Sequence, residues 1–447
     1  MTPIVTRFAP SPTGYLHAGN YRTAVFAYLS AKHSGGKFIV RIEDTDVARS
    51  SPEYEASIFE TLTWLKLSPD ETYRQSEHRP RHRELLEKLV KDDTAYVSKE
   101  TPQAPGDREE VIRFRNPGGT VTFMDIIHGE ITTDITDLGD FIIARSFDEP
   151  VFHFAVVVDD ADEGVNHVIR GGDHISNTAR QMLIQQALGL PMLLYAHLPL
   201  IFGDNHKKLS KRSGAKPLSE YRDQGILPEA MLNYIAFLGW NPGDKREYLS
   251  REELIEAFGL SRVQKGSAIF DEVKLLSVNQ HWMRKLSDDD FLAHLKVGHR
   301  MSDFYAEQLR KAVPLLKERA HTFAEAREML SGELSCLFNE SILDRALLVA
   351  KELPKRVGMT KLALESLLGA IQSLPESLST EAVKEALMPL GNAEEAKGKG
   401  GRGAVLWPLR YALSGQERSP DPFTLVAILG KEVALARIQK AIGILGE

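Results

Sequence analysis

The apolar positions along the chain change period several times, and each change predicts an element. Ile4 to Phe8 read as a short buried strand, and Ala9-Pro10-Ser11-Pro12-Thr13-Gly14 behind it forces a turn, since proline fixes φ and lacks the N–H. From Tyr21 to His33, Tyr21, Ala24, Val25, Tyr28 and Ala31 recur at helical spacing up to Gly35-Gly36, and Lys37 to Ile42 is rich in strand formers. A strand, helix, strand unit over residues 4 to 42 implies a parallel sheet with a right-handed crossover. Between residues 100 and 150, Pro102, Pro105 and Pro117 interrupt the chain, and the short pieces Gly119 to Met124, Glu130 to Thr133 and Asp140 to Ala144 predict an inserted β-rich subdomain. Val151 to Val158 is a near-continuous apolar run, which predicts a strand buried on both faces, followed by a helix over Asn177 to Leu188. From about Leu218 onward the segments are amphipathic with helical period, broken by turns at Gly239 to Gly243, Leu374-Pro375 and Gly398 to Gly403, so the C-terminal half is expected to be all-α.

Length and composition bound this picture. At 447 residues, with 43% hydrophobic and 26% charged residues, the chain has ample material for buried cores and divides into roughly three domains at ~150 residues each. Lys and Arg number 55 against 62 Asp and Glu, a net charge of −7, which excludes a uniformly basic nucleic-acid wrapper but leaves local phosphate-binding patches open. The single cysteine, Cys336, permits no intramolecular disulfide and no multi-thiolate zinc site. The start of the chain has no basic segment followed by an apolar stretch, and no apolar run approaches the ~20 residues that span a bilayer, so a soluble cytoplasmic protein is expected.

Two clusters carry candidate chemistry. Gly14-Tyr15-Leu16-His17-Ala18-Gly19-Asn20 puts an imidazole and a small residue where a strand meets a helix N-terminus, a place that offers unpaired N–H groups and a positive dipole end to phosphate. Alone, the pattern also fits a surface histidine beside a helix start. Lys207-Lys208-Leu209-Ser210-Lys211-Arg212-Ser213-Gly214 places four cations and two hydroxyls in one loop, suited to negative charge building up on a triphosphate, or simply to solvent. Asp159-Asp160, read as following a buried strand, look like caps and sheet-end ligands rather than a metal pair.

Together the clusters carry a resemblance. Arg7-Phe8-Ala9-Pro10-Ser11-Pro12-Thr13-Gly14 with His17-Ala18-Gly19-Asn20 resembles the HIGH region of class I aminoacyl-tRNA synthetases, and Lys208-Leu209-Ser210-Lys211-Arg212 is similar to their KMSKS loop. Val40 to Asp46, Tyr73 to Ser76, Phe154 to Asp160, Val168 to His174, Tyr221 to Gly225, Leu227 to Ala230, Leu238 to Trp240 and Trp407 to Gly415 extend the likeness over nearly the whole chain, most closely to bacterial glutamyl-tRNA synthetases. The resemblance implies a Rossmann-type parallel-sheet catalytic domain (1–94 and 151–206) with an acceptor-stem insertion (95–150). A KMSKS and stem-contact helical domain (207–300) and a helical anticodon-binding region (301–447), with a subdomain split near 375 as an option, would follow.

It also implies ATP-dependent activation of L-glutamate to glutamyl-adenylate, with magnesium, then transfer to the 2′-hydroxyl of the terminal adenosine of tRNA-Glu; tRNA-Gln stays open as a second acceptor. By the same likeness, Lys211, His17 and Lys208 are the catalytic candidates, and His17, Gly19, Asn20, Asp173, Lys208, Ser210 and Lys211 meet ATP. Arg7, Ala9, Ser11, Glu43, Phe152, Val156 and Arg170 line the glutamate site, with Arg7 and Arg170 selecting an anion and Glu43 accepting from the α-ammonium. Read without the family, Arg7 suits a structural salt bridge and Glu43 a solvated or capping carboxylate. Asp44, Arg410 and Arg402 are tRNA candidates, with Lys397 and Lys399 in the basic loop, and a monomer is the family expectation. Phe152 stands where a tyrosine is common, Gly172 replaces an acid, and Thr101 to Arg108 lack the cysteines of a zinc site, so no zinc is expected. Glutaminyl-tRNA synthetases would carry Asp at position 43 and a β-barrel anticodon module. Glutamyl-queuosine enzymes and HIGH-motif nucleotidyltransferases would lack so long a helical C-terminal half, and a catalytically dead paralogue would not need His17, Lys208, Lys211, Arg7 and Glu43 intact.

Overall fold

The computed structural model describes residues 3–101, 109–203, 207–209, 214–295, 303–349, 357–396 and 401–446. The chain divides into two compact units, Met1–Asn279 and Gln280–Glu447. Among the described residues, no helix is long and apolar enough to cross a membrane.

The first unit opens with β1 (Val5–Phe8), α1 (Ala18–His33), β2 (Lys37–Ile42), α2 (Pro52–Trp64) and β3 (Glu71–Arg74). The three strands form a parallel sheet in the order β1-β2-β3, with Val5 beside Lys37 and Ile39 beside Glu71, as strand–helix–strand connections demand. α3 (Arg79–Lys91) leads to β4 (Ala95–Lys99), β5 (Glu110–Phe114), β6 (Thr120–Asp125), β7 (Gly129–Asp134), β8 (Phe141–Ser146) and β9 (Glu149–Pro150). β4, β5, β8 and β9 form an antiparallel sheet, whereas β6 and β7 do not stay within it. They extend a second sheet of order β10-β11-β6-β7, in which β10 (His167–Gly171) and β11 (Leu194–Leu198) are parallel. The β-rich insertion is therefore laced into the catalytic sheet through β6. Asn166 ties β10 to β1: its side chain accepts from Val5 N at 2.8 Å, and its own N–H donates to Val5 O at 3.0 Å.

One prediction is corrected. Val151 to Val158 is not a strand but most of helix α4 (Phe152–Asp162), ended by Gly164 at φ +71°. Phe154, Ala155, Val156, Val157 and Val158 are all buried, so the run shows no polar phase from which a period could be read. Asp159 and Asp160 accordingly cap no strand: they are buried carboxylates within α4. α5 (Ile175–Leu188) follows β10 and closes with Gly189 in the left-handed region.

Beyond Leu218 the regular elements among the described residues are helices, apart from the two-residue strand Ala268–Ile269, which pairs in parallel with Ile201–Phe202. In the second unit, helices Val357–Gln372, Thr380–Ala396, Gly403–Ser414, Pro422–Leu429 and Lys431–Gly446 enclose Leu364, Leu367, Leu387, Leu409, Leu425 and Ile438, all fully buried. This is the amphipathic stripe of the sequence turned inward.

Candidate active site

In a doubly wound sheet, ligands bind beyond the carboxyl ends of the strands. Here Ala9 after β1, Glu43 after β2, Gly171 at the end of β10 and Pro199 after β11 line one cleft of about 880 Å³.

The Pro-Ser-Pro-Thr-Gly turn delivers the chain to the N-terminus of α1, where His17 is the capping residue. Its Nδ1 accepts from Gly19 N at 3.1 Å, and Asn20 Oδ1 accepts from His17 N at 3.2 Å, a reciprocal capping box. Because Nδ1 accepts, the neutral ring carries its proton on Nε2, a donor matched to phosphate oxygen. Gly19 has a steric reason to be glycine: a Cβ there would lie 2.9 Å from His17 Cε1 and 3.0 Å from Nδ1. In the same cleft, Lys208 Nζ pairs with Asp173 Oδ2 at 3.1 Å, joining the start of the basic loop to the turn after β10. Burial alone would raise the Asp173 carboxyl, but the Lys208 hydrogen bond and neighbouring positive charge carry it below its usual range. Ser210 and Lys211 lie outside the described residues.

The acidic and basic groups at the sheet ends form a buried network. Arg41, fully buried, donates through Nη1 to Asp160 Oδ1 at 2.8 Å and Glu163 Oε2 at 2.7 Å, and through Nη2 to Glu43 Oε1 at 3.3 Å; its Nε lies 3.8 Å from Asp159 Oδ2. Arg7 Nε donates to Asp160 Oδ1 at 2.9 Å. Among the described residues Arg7 is thus a structural ion-pair partner as well as a cleft residue, its terminal nitrogens making no hydrogen bond. Glu43 is buried beside the turn, its N–H donating to Pro10 O at 3.0 Å, and its carboxyl is raised first by desolvation, against the pull of Arg41 and Arg7. Desolvation likewise pushes the Glu163 carboxyl up to about 8.

Arg170 is different in kind. It is 6% exposed, lines the cleft, and among the described residues donates only to neutral groups: His197 Nε2 at 3.1 Å, Gln181 Oε1 at 2.7 Å and Thr178 Oγ1 at 2.8 Å. Burial, then the Arg7 charge, lowers its guanidinium to about 10. Among the described residues no carboxylate forms an ion pair with it, Asp160 and Glu43 acting only at longer range, so a buried cation faces the cleft without a direct counter-ion and an anionic ligand would supply one. His153 and His174 flank it, each lowered to about 4, by burial first and then by arginines (Arg180 before Arg170 for His153, Arg170 for His174), so both are neutral near pH 7.

The structure gathers Arg7, Ala9, Ser11, His17, Gly19, Asn20, Glu43, Phe152, Arg170, Asp173 and Lys208 around this cleft. Val156 does not line it: one turn along α4 from Phe152, it is 2% exposed among core side chains. Asp44 is also elsewhere, accepting from Ser76 N and Oγ and from Arg74. In the second unit Arg410 lies 4.7 Å from the Trp407 ring and donates to Glu417 O and Ser419 O, and Arg402 caps the helix Gly403–Ser414. Lys397 and Lys399 lie outside the described residues. The sequence reading missed Arg41, Glu163, His174 and His197, which no local spacing singles out.

Both units match the class I tRNA synthetases. A family model described as tRNA synthetases class I (E and Q), catalytic domain, matches residues 3–105 and 103–277, and one described as anticodon binding domain matches 282–442. Within that class, the chain is 38% identical to glutamate–tRNA ligase 1 of Acidithiobacillus ferrooxidans, over 98% of both chains. It is 39% identical to glutamate–tRNA ligase 1 of Mesorhizobium japonicum, over 97% of this chain and 98% of that one. It superposes with a TM-score of 0.82 and 33% identity on a glutamate tRNA ligase from Elizabethkingia meningosepticum solved in complex with its amino acid, covering 98% of this chain and 99% of that one. The chain belongs to the glutamate–tRNA ligase family.

Proposed function

We infer that this chain joins L-glutamate to tRNA-Glu at the expense of ATP, through a glutamyl-adenylate. The observation that carries the substrate is Arg170: a buried cation, held by neutral partners and open to the cleft, suits a side-chain carboxylate and disfavours the neutral amide of glutamine. The nucleotide half rests on the His17-capped α1 N-terminus and the Lys208–Asp173 pair in the same cleft. In this reading Glu43 receives the α-ammonium and Ser11 orients the amino acid, while Lys208, Ser210 and Lys211 meet the phosphates. Magnesium enters as the nucleotide's counter-ion, since Asp173 already holds Lys208. We propose the acceptor end of tRNA at residues 95–150, its stem along 207–300 and its anticodon on 301–447, with Asp44, Arg402 and Arg410 among the contacts, in a monomeric enzyme without zinc.

Charging with labelled glutamate, ATP and magnesium on separate tRNA-Glu and tRNA-Gln transcripts tests the activity. Glutamate on tRNA-Glu supports it, and label on both defines a non-discriminating enzyme; label on neither, with folded protein and native modified tRNA also tried, overturns it. Lys211→Ala should cut adenylate formation more than it weakens glutamate binding, and equal losses in both would remove Lys211 from its role.

A further inference from the structure

The partner of Arg170 that deserves a role of its own is His197, and the reason lies one residue further back. Asp125, at the end of β6, is 1% exposed, and His197, on β11, is fully buried. Asp125 Oδ1 accepts from Ile127 N and His128 N, both at 2.9 Å; Oδ2 accepts from His197 N at 3.1 Å and contacts His197 Nδ1 at 2.7 Å. A carboxylate can only accept here, so Nδ1 carries the proton. At the other side of the ring Arg170 Nε–H points at His197 Nε2 at 3.1 Å, and a guanidinium can only donate, so Nε2 must keep its lone pair; Thr178 Oγ1, also 3.1 Å from Nε2, is a hydroxyl that can donate to it as well. Both neighbours demand the same neutral tautomer. Burial lowers the His197 imidazole first, and the charge of Arg170 adds to it against the upward pull of Asp125, opposing the protonated form that would set two donors against each other.

We propose that His197, fixed in its Nδ1–H tautomer by Asp125, is a positioning residue for carboxylate recognition by Arg170. A guanidinium has five N–H donors. Three are engaged, by His197, Gln181 and Thr178, which leaves one on each terminal nitrogen for the substrate. His197 holds the only donor on Nε, and so sets the plane of the group. This inference rests on the reading of Arg170 as the glutamate anchor.

Asp125→Asn separates positioning from mere packing. The amide keeps the shape, but its oxygen is needed by Ile127 N and His128 N, so its NH2 faces His197 Nδ1 and drives the proton to Nε2, against Arg170. The KM for glutamate should rise about 10- to 100-fold in Asp125→Asn and in His197→Met, the range for a hydrogen bond to a charged group, with kcat and the KM for ATP within about twofold of the parent. His197→Gln, whose side-chain oxygen reaches the Nε2 position, should bring the glutamate KM back to within about threefold. Losses that fall equally on glutamate and ATP, or no recovery in His197→Gln, would overturn the proposal. A second readout does not depend on charging: in 15N-histidine-labelled parent protein, His197 should show a protonated Nδ1 and an unprotonated Nε2, and Asp125→Asn should exchange them. The opposite tautomer in the parent would refute the relay, whereas a parent with the expected tautomer but no glutamate activity would refute the reading of the pocket.

Discussion

Replacing Arg41 with methionine isolates what ties β2 to α4. The side chain is fully buried, and methionine fills much of its volume without charge. After the change, Asp160 still has Arg7 at 2.9 Å, and Asp159 still has His82 at 2.7 Å and Gln75 at 2.8 Å. Glu163 loses its 2.7 Å partner, and its Oε1 has no hydrogen bond to begin with. Removing one side of a buried ion pair costs ~3–5 kcal/mol because a charge is left unpaired, a large part of the ~5–15 kcal/mol that stabilises a domain. The pH dependence identifies the mechanism. Glu163 has a folded pKa of about 8, above its ordinary 4.5, so folding favours its protonated form: that contribution is complete below about 4.5 and is lost as pH rises through 8. Without Arg41, whose charge pulls this pKa down, the folded value climbs further; below about 8 Glu163 is protonated in either protein, so its share of the deficit enters as pH rises past 8, and the deficit should be larger at pH 9 than at pH 7. Urea unfolding followed by circular dichroism at both pH values reads this directly. Arg41→Met with Glu163→Gln should recover part of the loss at pH 9, since an amide carries no charge to strand. A loss of less than about 1 kcal/mol, or one that grows as pH falls, would refute the reasoning.

Three further outcomes are expected. Gly19→Ala should force His17 off its capping position, lowering kcat/KM for ATP on the order of 10²-fold with an unchanged far-ultraviolet spectrum, as measured by tRNA-dependent adenylate formation. Lys208→Ala should lower the adenylate step by about 10- to 10³-fold while changing stability by less than about 1 kcal/mol, because its pair with Asp173 is half exposed; a stability loss matching the activity loss would contradict this. His153 and His174 have folded pKa values near 4, below the ordinary 6.5, so their neutral forms stabilise the fold fully above 6.5 and that stability drains as pH falls toward 4. Discounted for their partial exposure, each contributes on the order of 1 kcal/mol, and the double change to glutamine should flatten unfolding free energy between pH 6.5 and 4.

The opening strand–helix–strand unit is legible because its ends are marked: α1 is buried all round from Ala24 to Ala31, yet the Pro-Gly turn before His17 and Gly35-Gly36 after it set its length, and β2 is a short run of strand formers. α4 is illegible because no such turn sets off its start, Val151 following directly on Pro150. Buried on every side, Phe154 to Val158 show no periodicity, and the β-branched valines point to a strand that tertiary packing overrides. That error carried Asp159 and Asp160 with it, since a carboxylate's role depends on which element aims it. His17, Gly19, Glu43 and Arg170 are legible through motif resemblance, but the groups that set their charge are not. Asp125 and His197 are 72 residues apart, and Arg41 and Asp160 are 119 apart, so only the folded sheet shows that they meet.

The Val5–Asn166 clamp bears on how the molecule is made. A ribosome releases the chain from its N-terminus, so β1, β2 and β3 are all free to pair once the first 74 residues have emerged. Yet the clamp joins groups 161 residues apart, and three of the four acidic partners of Arg41, Asp159, Asp160 and Glu163, come from that same late stretch. Until it arrives, the young sheet has an open edge at β1 and a guanidinium that must stay in water. Nascent chains halted before and after this stretch should therefore differ sharply in protease resistance, with the N-terminal sheet acquiring the clamp on its edge and its charge balance in a single late step of synthesis.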